Sequence, residues 1–457
     1  MSGKNFTPNV SVLIQFDQQS VGQAHTDASG AFTRAPVTIL SGTTEGNHGF
    51  TVTDGAGISV SVPFLIETDW AQEHFDPQND ANNPYEWKLT SSTVTALKPA
   101  WSTTVVPCPG TTAIVAGGVV YYNSEIGGLQ ALDAANGKLL WSYDMSGNCG
   151  TSPTLGAWYT QLIFVNNGAG TVFALNHITH KLAWTYALGG NFPGQYSIAA
   201  GNTLFVANGA GRVAALSQFS GKELWNYSVS CPDAGPMLGW NKGVLYVSAN
   251  ECGDLALNAS TGSLLWSQLP PGGSGETLES NPLLAYGLVW NSGSTHDPNC
   301  PGTHVYGQHI SDGTVQFTGP QYCLAEFAAD SGLIYSVDQE AYFDNNSDLC
   351  ATNATTGVAA WCLTPGVSTT PLAGGQVLVA NHIVYVGSEN PVSNAQSILA
   401  LDSKGKHLWS FTLAAASHTS CAFTYACAIP SAVVDGTLYV ESSADMNGQP
   451  DTFWALR

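Results

Sequence analysis

Basic residues are scarce in this chain. Twelve Lys and Arg stand against 33 Asp and Glu in 457 residues, a formal net charge of −21. That balance excludes a surface built for nucleic acid and one that seeks anionic membranes. No apolar run reaches the ~18 residues that a membrane-spanning helix requires. No signal peptide is visible either, and we expect the chain to be part of a longer exported protein. No two cysteines are adjacent and no C-x-x-C occurs, which argues against a thiolate metal site. The nucleophile elbow G-x-S-x-G, the phosphate loop and the zinc motif H-E-x-x-H are missing as well.

What the chain does have is repetition. The segment Ala131–Trp141 returns as Ala174–Trp184, Ala215–Trp225 and Ala256–Trp266, more weakly as Gly307–Phe317 and Ala351–Trp361, and one residue shorter as Ala400–Trp409. Each copy reads as the end of one strand, a tight turn at Asn, Asp, Ser or Thr followed by Gly, and a next strand ending in an aromatic residue. Upstream lie apolar runs rich in Val and Tyr, such as Gly118–Tyr122, Leu162–Val165, Leu204–Ala207, Val244–Val247, Ile383–Val386 and Leu438–Val440. These fit buried strands. A unit of four short strands recurring roughly every forty to fifty residues predicts a radial β-array, a propeller.

Seven copies are complete and the eighth is split. Phe453–Arg457 supplies its first half and Leu97–Trp101 the missing one. We therefore expect an all-β fold: an eight-bladed β-propeller of four-stranded blades over residues 97–457, closed by its N-terminal strand. If the irregular unit around Phe317 is an insertion, the count falls to six or seven. Residues 68–96 read as a lead-in. Residues 1–67 differ in pattern, with alternating Val10–Phe16 and short strands at Ala31–Thr33, Val37–Leu40, Gly46–Thr53 and Ile58–Phe64. They predict a small β-sandwich.

The pattern Ala-Leu-[Asp/Asn]-x-x-[Thr/Ser]-Gly-x-x-x-Trp resembles the PQQ-like repeat of quinoprotein-type propellers. The lead-in from Trp70 to Pro77 and from Leu89 to Trp101 is similar to the start of such propellers. Residues 1–67 look like a bacterial Ig-like surface module, short of its first strand. The resemblance implies the fold. It implies less about activity, because propellers of this type serve both dehydrogenases and non-catalytic scaffolds, among them the lipoprotein of outer-membrane barrel assembly.

The ten cysteines are Cys108, Cys149, Cys231, Cys252, Cys300, Cys323, Cys350, Cys362, Cys421 and Cys427. An even number in so acidic a chain points to an oxidising, extracellular or cell-surface setting. In a propeller the connections between blades and those between second and third strands share one face, and all ten map to that rim. Pairing sequence neighbours gives 108–149, 231–252, 300–323, 350–362 and 421–427, although sequence alone does not determine connectivity.

The long loops fall on the same face. Asp344, Asn346 and Asp348 present closely spaced oxygens suited to Ca²⁺. His296, Asp297 and His304 lie on one loop, with His418 across the funnel, and are a candidate transition-metal set. Glu276 and Glu279 form a candidate carboxylate pair. The resemblance raises the question of pyrroloquinoline quinone (PQQ), a tricarboxylate whose pocket needs cations and a metal. Arg212 is the one basic residue placed on the loop-rich face.

Three readings follow. The first is a secreted or surface propeller that binds a polysaccharide or a protein through its acidic, disulfide-stapled face. The second is a PQQ-dependent dehydrogenase of alcohols or sugars with a divergent site. The third is a structural subunit of a surface assembly that self-associates through an open edge of the Ig-like module. No catalytic residue is assigned.

Overall fold

The computed structural model describes all residues except 40–45, 67, 109, 127, 147–148, 158, 191–196, 231–234, 251, 272–275, 279–280, 296–303, 322–324, 339–348, 364–371, 391–394, 414–427 and 443–450. The chain divides into two compact units. One comprises Met1–Thr68 with Tyr85–Trp87, the other Asp69–Pro84 with Lys88–Arg457. Most of the stretch expected as a lead-in thus belongs to the larger unit.

The smaller unit holds one antiparallel sheet in the order Gln19–His25, Ser11–Phe16, Gly46–Asp54, Ser59–Ile66. Alternation along these strands turns Val12, Ile14, Phe16, Phe50 and Val52 to one side, where they pack with Phe6, Phe32 and Ala35. Residues 31–39 form no strand, only a bridge from Phe32 to Gly3. The reason is local: Arg34 has φ 52° and Pro36 has no N–H to donate to a ladder. Asp54 caps the turn that follows its strand, accepting from the backbone N–H groups of Ala56 and Ile58 and, across the unit, Thr7, each at 2.9 Å.

Among the described residues the larger unit forms eight sheets in chain order, antiparallel except where Asn82–Asn83 joins the seventh in parallel. The first is typical: Ile114–Ala116, Val119–Ser124, Gly128–Asp133 and Leu139–Tyr143. Its first turn is Gly117-Gly118, both at positive φ (55° and 75°), the geometry of a type I′ hairpin. Lys242-Gly243, Tyr286-Gly287, Ser331-Gly332 and Asp435-Gly436 repeat it in later sheets. The eighth sheet is composite. Ala428–Val434, Thr437–Ser442 and Asp451–Leu456 are completed by Pro99–Val105, which pairs antiparallel with Asp451–Leu456.

The repeated aromatic residue links one sheet to the next. Trp225 donates its indole N–H to the carbonyl of Ala259, 2.9 Å away in the following sheet. A methyl group on Gly262 of that same turn would lie 2.6 Å from the Trp225 ring. The pairs Trp101 with Gly137, Trp184 with Gly221, Trp266 with Gly313, Phe317 with Gly357 and Trp361 with Gly405 repeat this close approach. Where the turn carries His180 at φ 58° instead, the imidazole stacks on Trp141 at 4.7 Å. Trp101 belongs to the strand that completes the eighth sheet, yet its N–H reaches Ala134 of the first at 2.9 Å. The sheets therefore close into a ring.

Candidate functional site

The first strand of each sheet is an edge, with backbone groups that its own sheet leaves unpaired. Residues 70–83 satisfy them one sheet at a time. The Trp70 N–H bonds to the carbonyl of Val115, and the Ala71 carbonyl accepts from Leu155, both at 2.7 Å. The Gln72 side-chain oxygen accepts from Ala199 at 3.2 Å. The carbonyls of Pro77, Gln78, Asp80 and Ala81 accept from Trp240, Leu284, Ala329 and Val379 at 2.6–2.8 Å. Asn83 donates its side-chain amide to Val433 at 2.9 Å. These partners lie on the first to the eighth sheet in order. So short a segment reaches eight sheets only if their first strands converge on it. It winds once around that centre, bent by positive φ at His74, Phe75, Asn79 and Ala81, a conformation that non-glycine residues hold only when the surroundings fix it.

The segment carries ionisable side chains inward. Glu73 lies deep in the fold, part of its surface open to a cavity with room for about one water molecule. Thr151, Ser152, Ser197, Asn79 and Asn281 also line that cavity. Burial pushes the Glu73 carboxyl up; the His74 imidazole opposes this and the Glu326 carboxylate adds to it. The Nε2 of buried His74 stands 3.3 Å from Glu326 Oε2. Burial alone would lower the His74 pKa, but Glu326 and then Glu73 outweigh it and leave it raised. Farther along, burial pushes Asp76 up to about 6. Asp80 rises well above the usual carboxylate range through burial and the charge of Asp76. Glu441, held by the hydroxyl of Ser431 at 2.8 Å and the N–H of Ala113 at 3.0 Å, is raised by burial to about 7. The centre of the ring is thus acidic, with His74 the one basic group drawn into this cluster among the described residues.

None of these groups was singled out from sequence. The available signal was their density: Glu73, His74, Asp76 and Asp80 crowd eight residues of a chain that is only 10% charged. Of the residues that were singled out, Arg212 opens the third strand of the third sheet, Arg212–Ser217. Its guanidinium donates to Glu223 at 2.7 Å, to the Tyr186 hydroxyl at 2.8 Å and to the Leu188 carbonyl at 3.1 Å. Hydrogen bonds from Tyr186 and Asn226, together with the Arg212 charge, hold Glu223 below the usual carboxylate range. The cation is therefore already neutralised by a neighbour on its own sheet.

Asp344, Asn346, Asp348, His296, Asp297, Glu279 and His418 lie outside the described residues. His304 begins the strand His304–His309 and Glu276 the strand Glu276–Leu278, but their side chains are not described. Cys108 and Cys149 form a disulfide with Cα atoms 5.2 Å apart, and Cys350 and Cys362 another at 4.1 Å, bridging two adjacent strands of the sixth sheet. Cys252 is also disulfide-bonded. Cys231, Cys300, Cys323, Cys421 and Cys427 lie outside the described residues. Among those described, no group of three or more His, Cys, Asp or Glu is placed to hold a metal ion, and no helix is long and apolar enough to cross a membrane.

Comparison with known proteins gives a consistent result. The sequence model described as outer membrane protein assembly factor BamB, a PQQ-like repeat, matches residues 90–197 and 193–320. No curated protein sequence matches the chain. Among solved structures, the quinohemoprotein alcohol dehydrogenase ADHIIG of Pseudomonas putida superposes with a TM-score of 0.60 at 14% identity, over 85% of this chain and 80% of that one. BamB of Moraxella catarrhalis gives 0.55 at 15% identity, over 78% and 99%. A europium-containing methanol dehydrogenase gives 0.59 at 14%, over 85% and 98%. At such identities the likeness concerns the fold.

Proposed function

The chain belongs to the PQQ-like repeat family of β-propellers, and we propose that it is an eight-bladed binding scaffold working outside the cytoplasm rather than a quinone-dependent oxidoreductase. The observation that carries this reading is the sign of the charge at the centre of the ring. Glu73, Glu326, Asp76, Asp80 and Glu441 bring carboxylates there. A quinone tricarboxylate would need cations in the same place. Arg212, the one candidate anchor, is paired with Glu223. The described residues therefore do not fit the cofactor.

Disulfide bonds at Cys108–Cys149 and Cys350–Cys362 support an extracellular or cell-surface setting. The net charge of −21 disfavours nucleic acid. The family match to an outer membrane assembly factor supports a role without turnover. In this reading the acidic, disulfide-stapled loop face binds a surface polysaccharide or a protein. Asp344, Asn346 and Asp348 are its calcium ligands, and an Ig-like unit at residues 1–67 offers a sheet edge for self-association. The test is calorimetric titration of the purified protein with PQQ, with and without Ca²⁺, followed by dye reduction with an alcohol and sugar panel. We expect no binding and no turnover, and then a hit in glycan or partner-protein screens. Tight PQQ binding with turnover overturns the proposal.

A further inference from the structure

The cavity at the centre of the ring has a charge imbalance that its own residues leave open. Glu326 has the His74 imidazole as its partner at 3.3 Å. Glu73 is left over. Among the described residues its hydrogen-bond partners are neutral: the Ser152 hydroxyl, which donates to it, and the Gln376 amide at the long distance of 3.5 Å. A carboxylate so deep in the fold must take up a proton or be offset by a counter-charge.

Side-chain oxygens of Thr151, Ser152, Thr154, Ser197 and Asn281 line the cavity beside it, together with Ile198 and Leu238. Ser152 Oγ accepts from the Thr112 N–H at 2.9 Å and is thereby fixed. Thr154 Oγ1 and Ser197 Oγ are 3.0 Å apart. Asn79 donates its amide to the carbonyls of Leu238 and Pro282, at 2.7 and 3.0 Å. A second observation is independent of charge. Thr151, only 8% exposed, lines the same cavity, and its hydroxyl has no hydrogen-bond partner among the described residues. A buried hydroxyl left unsatisfied is costly and calls for a partner in the adjoining space.

We propose that this cavity is a binding site for one small, hard, monovalent cation, Na⁺ or K⁺, held by the Glu73 carboxylate and the oxygens of Thr151, Ser152, Ser197 and Asn281. Oxygen donors are what a hard cation takes. A single surplus carboxylate matches a single positive charge. The space admits one ion and excludes an organic cofactor. The site would tie the winding segment to the first strands of the sheets around it.

The experiment measures the melting temperature of the whole chain in chelator-treated buffer at constant ionic strength, in choline, sodium or potassium chloride. We expect a saturable rise of about 2 °C in Na⁺ or K⁺ over choline, lost in Glu73→Gln and diminished in Thr151→Val, which leaves the charge untouched. A Ca²⁺ arm uses the double variant Asp344→Asn with Asp348→Asn, to separate the outer loop from the centre of the ring. Equal melting in all three monovalent salts overturns the proposal. So does a Na⁺ or K⁺ response that survives Glu73→Gln, or a response to Ca²⁺ alone that the loop variant removes. Should Glu73→Gln fail to fold, undiminished salt dependence in Thr151→Val has the same force.

Discussion

Replacing Gly262 by alanine separates two contributions that are usually entangled. Gly262 sits at φ 71° in the turn of the fourth sheet, and a methyl group there would approach the Trp225 ring to 2.6 Å. Gly117 sits at φ 55° in the first sheet with nothing within 4 Å of the same added atom. Both substitutions carry the backbone strain of a left-handed L-residue, about 1–2 kcal/mol. Gly262→Ala alone adds overlap with a packed ring, about 1–3 kcal/mol more. We expect it to unfold at lower urea than Gly117→Ala, and to melt about 2–5 °C below it. The Trp225→Ala background removes the ring. That variant is itself destabilised by about 3–5 kcal/mol, and adding Gly262→Ala to it should cost only the strain. The cycle therefore predicts a coupling equal to the overlap. Equal effects of the two glycine substitutions, or strict additivity with Trp225→Ala, would refute the reading of the repeat as a dock between sheets.

Three further outcomes follow from the structure. Glu441 has its folded pKa raised to about 7, against about 4.3 unfolded. The folded state then binds the extra proton, so stability falls as pH rises from about 4.3 to 7, by roughly 4 kcal/mol in all. Urea midpoints should show that slope flattened in Glu441→Gln. Asp54 behaves in the opposite sense: the Thr7 N–H foremost, then those of Ile58 and Ala56, depress it to about 2. Its contribution is present above about pH 3.9 and lost as pH falls toward 2. Asp54→Asn should therefore destabilise the smaller unit at neutral pH and little at pH 2, as read from amide exchange of Ser11–Phe16. The disulfide Cys108–Cys149 spans 41 residues and Cys350–Cys362 spans 12. Chain entropy gives about 4 and 3 kcal/mol, so the double-serine variant at the first pair should be the less stable in urea; the reverse order would place the main effect in the native state.

The sequence shows the strands and turns of the larger unit because they are local. The Gly of Ala256–Trp266 marks a turn whatever surrounds it, and the runs around Tyr121 and Val206 are apolar by composition. The partner of each aromatic residue was less visible. Trp225 packs on Gly262 of the next sheet, and only the ring as a whole puts them together. Residues 70–83 were the least visible. They have no periodicity, their bonds join Asn79 to Leu238 and Pro282 across the chain, and their backbone is bent where non-glycine residues seldom go. The same holds for Arg212. Sequence placed it on the loop-rich face as a cation, whereas the hairpin brings Glu223 within 2.7 Å of it. In the smaller unit, alternation in Val10–Phe16 was enough to locate a strand. In the stretch at 31–39, composition suggested strands that the positive φ of Arg34 interrupts.

The segment that visits every sheet also bears on how such a protein evolves. A ring of similar units would ordinarily gain or lose a repeat by duplication or deletion, since each contacts only its neighbours. Here fourteen consecutive residues, 70–83, meet the sheets in order, from Val115 to Val433. An added or missing repeat would leave every later partner one place out of step. The segment is a tally written into the chain before the repeats begin, and a change in their number would break its bonds.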